Sequence, residues 1–303
     1  MLDLIIIGGG MAGMTACLYS LRNNKTTLIL ERESVGGQIS KSPKVENYPT
    51  AKSMSGMDLS SLLFDQILEL GAGFEVEDVV GIEKIDNVFH VKTNYNVYQA
   101  KAVIIATGAK HRELGLEGEE KFIGKGVFYC AICDGPFFKG QEVSLIGDGN
   151  SALQYALMLS EYCSKVNIFT LFNKFFGEKT LIDKVLNKEN IKIYHNLKAV
   201  EIKGQDNLEA VVFENKEGQR STFSTKALFV AIGQVPDNKV FKDLVDLNKQ
   251  GYIIADETCE TKTPGLYVAG DCRTKDVRQV ATAVGDGAVA ATKAYKYLST
   301  LEE

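Results

Sequence analysis

The residues best placed to do chemistry are Cys130-Ala131-Ile132-Cys133, followed at once by Asp134 and Gly135. Two thiols separated by two residues can close a disulfide, bind a metal or do neither. Their surroundings narrow the choice. A glycine-rich loop, Gly147-Asp148-Gly149-Asn150-Ser151-Ala152, follows them, and another, Gly8-Gly9-Gly10-Met11-Ala12-Gly13, opens the chain. Between two dinucleotide-type elements, the expected use is a dithiol that trades electrons with a bound redox cofactor. Asp134 is then the natural proton carrier, because exchange needs one thiol deprotonated and the leaving thiolate protonated. A turn or cap role ahead of Gly135-Pro136 is the structural alternative. Pro136, Phe137 and Phe138 are expected to pack rather than to touch a cofactor.

The other cysteines do not extend this pair into a framework. Of six in all, Cys17 lies in an apolar helical pattern and Cys163 near a helix end, where thiols are commonly buried and inert. A zinc site would want a second close pair or spaced histidines, and His90, His111 and His195 are scattered. No metal is expected.

The elements that must position a cofactor begin at the N-terminus. Leu4–Ile7 is a short all-apolar run, as expected of a parallel strand covered on both faces. Gly8, Gly10 and Gly13 then supply G-x-G-x-x-G, and Met14–Tyr19 reads as the following helix. The first glycine makes a tight turn, the second lets the backbone approach a pyrophosphate, and the third permits close helix packing. A second strand, Thr27–Leu30, ends in Glu31, about 20 residues beyond the glycines, where an acid bonds a ribose diol. Two later segments favour FAD over NAD. Val103–Gly108 reads as a buried strand ending in the small residues Ala106, Thr107 and Gly108. Leu266–Asp271 reads as another, with Gly270 at its end and Asp271 placed to bind a ribityl hydroxyl.

Because these elements lie at both ends of the chain, the middle must be an insertion. Lys110–Gly115 and Gly233–Asn238 are turn-rich and serve as crossover linkers. Between them Gln141–Ile146, the second glycine loop, an apolar-periodic helix over Ser151–Ser160 and the strand Lys165–Phe169 repeat the βαβ logic. The expected fold is α/β, with two doubly wound nucleotide-binding-type domains, the second inserted into the first. Residues 1–112 and 238–303 form the discontinuous FAD domain, and 113–237 the redox domain.

Composition agrees with this frame. At 303 residues the chain suits two domains, and 45% hydrophobic content suits packed cores. A net charge of −5 argues against nucleic-acid binding. The first strand follows Met1 almost directly, and no apolar run approaches the ~20 residues of a membrane span. No membrane partner and a cytoplasmic location are expected.

Several marks in one order resemble the low-molecular-weight thioredoxin reductases over nearly the whole chain. They are the N-terminal glycine motif, Gly36-Gly37-Gln38, Glu46-Asn47-Tyr48-Pro49, Ala106-Thr107-Gly108, the Cys130–Gly135 stretch, Gly270-Asp271 and Arg278-Gln279-Val280-Ala281. The resemblance implies a homodimeric FAD enzyme that passes reducing equivalents through the cysteine pair to a thioredoxin-like protein. It also implies flavin-site positions at Gly37, Gln38, Asn47, Arg278, Gln279 and Ala281. In the family's scheme Cys133 is the flavin-proximal thiol and Cys130 attacks thioredoxin.

The chain departs from that family in one place. NADPH-dependent members end the second strand of the inserted domain with a His-Arg-Arg set and a further Arg that grip the 2′-phosphate. Here Thr170, Leu171, Phe172 and Phe176 occupy those positions, with Lys174 and Lys179 the only nearby cations. A phosphomonoester wants bidentate guanidinium partners, and NADH would want a carboxylate at the strand end. Asp148 adds repulsion inside the second glycine loop. The pattern resembles the ferredoxin-dependent flavin thioredoxin reductases, which implies reduced ferredoxin as electron donor; an NAD(P)H-dependent enzyme is the alternative. Lys110, Arg112, Arg273 and Lys275 are the candidates for a basic surface facing an acidic carrier.

Overall fold

The apolar run Leu2–Ile7 forms a central parallel strand, flanked by Thr27–Glu31 on one side and Val97–Ile105 on the other. Its side chains divide between two cores by simple alternation. Leu4 and Ile6 face one layer with Ile29, Ala102, Ile104 and Tyr267, under the helices Met11–Arg22, Gly56–Glu69 and Val280–Thr300. Ile5 and Ile7 face the other with Leu28, Val103, Ile105, Phe89, Val91 and Phe241. Burial on both faces explains why the strand reads as continuously hydrophobic, without polar alternation. The computed structural model describes residues 1–42 and 44–301.

The chain separates into two compact units, Met1–Lys110 with Val235–Glu303, and His111–Gln234. The first holds a seven-stranded sheet in which Leu266–Val268 pairs in parallel with the end of Val97–Ile105. Val79–Ile85 and Val88–Thr93 extend this sheet in antiparallel sense. The strands expected over 103–108 and 266–271 stop sooner, at Ile105 and Val268. The backbone beyond Ile105 leaves the ladder, and Gly270–Cys272 forms a 3₁₀ turn.

In the second unit five parallel strands lie in the order Ile191–Tyr194, Lys165–Phe169, Glu142–Ile146, Leu228–Val230, Val127–Phe128. The helix Asn150–Ser160 covers one face through Ala152, Leu153, Ala156 and Leu159. A three-stranded antiparallel sheet (Lys198–Gly204, Leu208–Glu214, Arg220–Ser224) covers the other. Phe169 stacks there on Phe213 at 4.0 Å between ring centroids. Among the described residues no helix is long and apolar enough to cross a membrane.

Candidate active site

In the terminal unit the first glycine loop is shaped by contacts that a side chain would destroy. A Cβ on Gly8, whose φ is +112°, would lie 2.3 Å from the Ala106 carbonyl oxygen, and one on Gly13 would lie 2.0 Å from that of Gly8. Strand, loop and helix therefore approach at backbone contact, which only glycine allows. Above Gly10 the space is free, with the Gly36 carbonyl 4.0 Å from the position of a Cβ. Gly10 also starts the helix Met11–Arg22 without any side-chain cap, so the first amides of that helix remain available to an anion. Gly36 donates its N–H to the Gly9 carbonyl at 2.9 Å, which brings Gly37 and the exposed Gln38 to the same loop.

Glu31 ends its strand beside this loop. One carboxylate oxygen accepts the Gly9 N–H at 2.6 Å and the other accepts the Glu33 N–H at 3.0 Å. A carboxylate offers about four lone-pair sites, so two sugar hydroxyls can still be received. Asn47 donates to the Gln279 side chain at 3.2 Å, joining two of the expected flavin positions across the sequence. Ala281 stands exposed in the first turn of the helix that Gln279 caps. Arg278 lies over the Tyr252 ring at 4.2 Å and donates to the Asp271 and Arg273 carbonyls at 3.4 and 3.3 Å.

Asp271 is the most telling residue of this unit. Its Oδ1 is buried and has no hydrogen-bond partner. Burial raises its pKa, while Lys275 and Arg278 work against that rise. An orphaned carboxylate oxygen in a folded protein calls for an explanation, and a ligand hydroxyl supplies one. With the backbone cradle at Gly8 and Gly13, these features fit an FAD molecule.

Two residues that sequence reading passed over organise the same region. Asn238, 1% exposed, receives the Thr107 hydroxyl at 3.2 Å and donates to the carbonyls of Gly251 and Cys272, both at 2.9 Å. Asp286 accepts from Arg273 through both oxygens, at 2.9 and 2.8 Å, and from Lys275 at 2.8 Å. Its burial opposes ionisation, yet these two cations hold its pKa below the usual carboxylate range. The expectation that Arg273 and Lys275 belong to a basic surface is thereby corrected. Arg273 is 2% exposed, and both side chains are turned inward onto Asp286. Lys110 is itself ion-paired with Glu33 at 3.0 Å. The only signal in the sequence was an acid inside an otherwise small and apolar helical pattern.

In the inserted unit Cys130 and Cys133 are joined as a disulfide, with their Cα atoms 5.3 Å apart. Cys130 begins the short helix Ala131–Asp134, and its sulfur accepts the Cys133 N–H at 3.2 Å. Ile132, between them, is 44% exposed, so the loop is accessible from its outer side. Asp134 is 7% exposed, its Oδ1 has no partner, and burial pushes its pKa up to about 7. A carboxyl balanced between its two forms near neutrality can both give and take a proton. Phe138 packs against Phe128 and Phe229 in the core, in keeping with a packing role. Cys17 and Cys163 are buried, and burial pushes the Cys17 thiol up to about 12. Among the described residues no cluster of side chains could hold a metal ion.

The second glycine loop keeps its fold but not a welcoming charge. Helix Asn150–Ser160 starts after Gly149 without a side-chain cap. Asp148 sits half-buried before it, with a pKa raised by burial. Phe176 donates its N–H to the Asp148 carbonyl at 2.7 Å, and Asn150 accepts the Glu178 N–H at 2.7 Å. The segment after strand Lys165–Phe169 is thus tied down over the loop. Thr170 is 1% exposed, and its hydroxyl is engaged by the Phe172 carbonyl and His195 Nδ1, each at 2.7 Å. Leu171, Phe172 and Phe176 are exposed at 51%, 46% and 56%. Beyond them a polar cavity of about 510 Å³ is lined by residues including Asn173, His195, Asn196 and Lys216.

A nucleotide cradle in one parallel-sheet unit, and a disulfide beside a buried acid in another, define a flavin-linked disulfide oxidoreductase. The chain belongs to the pyridine nucleotide-disulphide oxidoreductase family, whose pattern matches residues 2–287. It is 40% identical over 301 residues to the "34.2 kDa protein in rubredoxin operon" of Clostridium pasteurianum, covering 98% of this chain and 97% of that one. It is 37% identical to the thioredoxin reductase of Bacillus subtilis, over 99% of this chain and 96% of the relative. Its fold superposes on the crystal structure of thioredoxin reductase from Streptococcus pyogenes with a TM-score of 0.95, at 37% identity and 99% coverage of both chains. The protein is an FAD-binding, thioredoxin reductase-like flavoprotein disulfide oxidoreductase with the expected α/β fold.

Proposed function

We propose that this flavoprotein reduces thioredoxin or a thioredoxin-like disulfide with electrons from reduced ferredoxin, and not from NADPH. The observation that carries the choice of donor is the end of strand Lys165–Phe169. Thr170 is buried with its hydroxyl occupied, and the next side chains are leucine and phenylalanine. The inserted unit has only two arginines, Arg112 and Arg220, and Arg220 is paired with Glu214 on the antiparallel sheet. Losing charge-assisted hydrogen bonds of ~1.5–3 kcal/mol each would weaken NADPH binding by orders of magnitude.

The chemistry balances with two electrons, delivered singly, and two protons for each Cys130–Cys133 disulfide reduced to the dithiol. FAD, held at Gly8, Gly10, Gly13, Glu31 and Asp271, supplies the two-electron store between carrier and disulfide. The Cys130 thiolate then attacks the partner disulfide and releases one partner thiolate. Cys133 attacks the resulting mixed disulfide, releasing the second partner thiolate and restoring the Cys130–Cys133 bond. Asp134 moves the proton: with its carboxyl near neutrality, it receives one from the attacking thiol and returns one to a leaving thiolate. The reading includes a cytoplasmic setting and a homodimer. Met57, Leu62 and Leu68 leave apolar surface on helix Gly56–Glu69 for a second copy to cover.

NAD(P)H remains the second reading. The uncapped helix start at Gly149 favours it, as does the family's name. Anaerobic mixing of the oxidised protein with NADPH, NADH or photochemically reduced ferredoxin separates the two. Flavin bleaching by ferredoxin alone is expected. Rapid bleaching by micromolar NADPH would overturn the donor while leaving the disulfide chemistry intact.

A further inference from the structure

The Asp286 cluster lies within electrostatic reach of Asp271, whose Oδ1 has no partner. Besides the bonds from Arg273 and Lys275, Asp286 Oδ2 accepts the N–H of Gly270 at 2.9 Å, the residue immediately before Asp271. Gly270 has φ +81°, a conformation in which its N–H can reach back to the helix carrying Asp286. The same helix lies at backbone contact with the helix Met11–Arg22, since a Cβ on the adjacent Gly287 would sit 2.3 Å from the Ala12 carbonyl oxygen. Arg273 is fixed further by donating to the Thr274 and Ala255 carbonyls at 3.0 and 3.4 Å.

Lys275 stands within electrostatic reach of Asp271, and a cation beside a free carboxylate would normally capture it. Here Lys275 is bonded to a different acid, Asp286, at 2.8 Å, and Asp271 Oδ1 stays without a partner. We propose that Asp286 is a positioning residue of the flavin site. It anchors the Gly270–Asp271 turn through the Gly270 N–H, and it engages Lys275 so that Asp271 keeps an oxygen free for a hydroxyl of the FAD chain. The inference rests on the assignment of Asp271 to the flavin.

The test compares FAD release from diluted holoprotein, followed as the fluorescence of free flavin, with thermal unfolding of the flavin-free form. Asp286→Asn cannot accept from both cations and the Gly270 amide together, so release about tenfold or more faster than wild type is expected. A triple variant, Arg273→Met/Lys275→Met/Asp286→Leu, separates positioning from simple charge burial. Exchanging a buried ionic cluster for apolar residues is commonly neutral or stabilising. Its flavin-free form should therefore unfold within a few degrees of wild type, yet release FAD as fast as Asp286→Asn, because the Gly270 amide has lost its acceptor. Wild-type retention of FAD by either variant would overturn the proposal. Asp271→Ala tests the underlying assignment separately: if it holds FAD as firmly as wild type, Asp271 is not a flavin ligand. Weak FAD binding in Asp271→Ala together with wild-type binding in Asp286→Asn would reject only the role of Asp286.

Discussion

Thr107 donates its hydroxyl to the side-chain oxygen of Asn238 over 3.2 Å, joining segments 131 residues apart. The same asparagine holds the carbonyls of Gly251 and Cys272. The two halves of the discontinuous unit are thus bonded beside the Ala106-Thr107-Gly108 turn. Asn238→Ala leaves one buried carbonyl, of Cys272, and one half-buried, of Gly251, without this donor, and a loss of ~1–3 kcal/mol follows, most of it from Cys272. Denaturant unfolding of the flavin-free protein measures it. A change below about 0.5 kcal/mol would show that solvent replaces the amide.

Gly13→Ala should be among the most damaging single methyls in the terminal unit, and it falls in the glycine loop itself. Its Cβ would meet the Gly8 carbonyl oxygen at 2.0 Å, so strand and helix must part. Overpacking of this kind costs roughly 1–3 kcal/mol. Because the displaced backbone is the cradle itself, purified Gly13→Ala should carry little or no FAD, read from the ratio of flavin to protein absorbance. Full flavin occupancy would show that the turn tolerates the shift.

The cysteine pair should divide its labour. With Cys133→Ser, Cys130 traps a thioredoxin-like substrate as a stable mixed disulfide, because the resolving thiol is absent. With Cys130→Ser no such adduct forms. Non-reducing electrophoresis and mass spectrometry distinguish the two. Trapping by Cys130→Ser instead would reverse the roles, and undiminished turnover in either variant would remove the pair from the mechanism.

Asp134 gives a pH prediction with a definite sign. Burial raises its folded-state pKa from 3.8 to about 7, so folding favours the protonated form. The contribution is full below the unfolded value and fades as pH rises toward 7, falling by on the order of 4 kcal/mol across that window. Asp134→Asn, which stays neutral, should lose this slope between about pH 4 and 7 in denaturant titrations. It should also slow thiol–disulfide turnover ~10²-fold through the lost proton relay. An unchanged pH–stability profile would mean that the carboxyl is solvated in the folded protein.

A gain of function tests the donor site from the opposite direction. Leu171 and Phe172 are exposed at 51% and 46%, so Leu171→Arg/Phe172→Arg should fold normally. Two guanidinium groups at the strand end would restore a phosphate grip, raising the rate of flavin reduction at low NADPH at least ~10-fold and NADH far less. Equal gains with both nucleotides would point to general charge attraction, and no gain at all would locate the obstacle elsewhere, with Asp148 the first suspect.

Much of this protein was legible in its residues because the informative features are local. A glycine loop between an apolar strand and a helix, a carboxylate at the next strand end and a C-x-x-C turn each specify geometry over a few residues. Even the departure at Thr170–Phe172 needs only residue types, since no packing can turn leucine into a phosphate ligand. The charge state of Asp134 was not legible, because it depends on how much water the surrounding unit excludes. Arg273 and Lys275 misled for the same reason. In sequence they follow an acid in a polar loop and read as solvated cations, while the acid that draws them inward lies on the helix Val280–Thr300. Asn238 was likewise unremarkable until the fold brought Thr107 to it. Sequence alone determined which chemistry the chain can carry, since bond-forming groups and turn geometry are short-range. Tertiary structure decided which charges are buried, paired or left free for a ligand, since desolvation and ion pairing are set by neighbours distant in the chain.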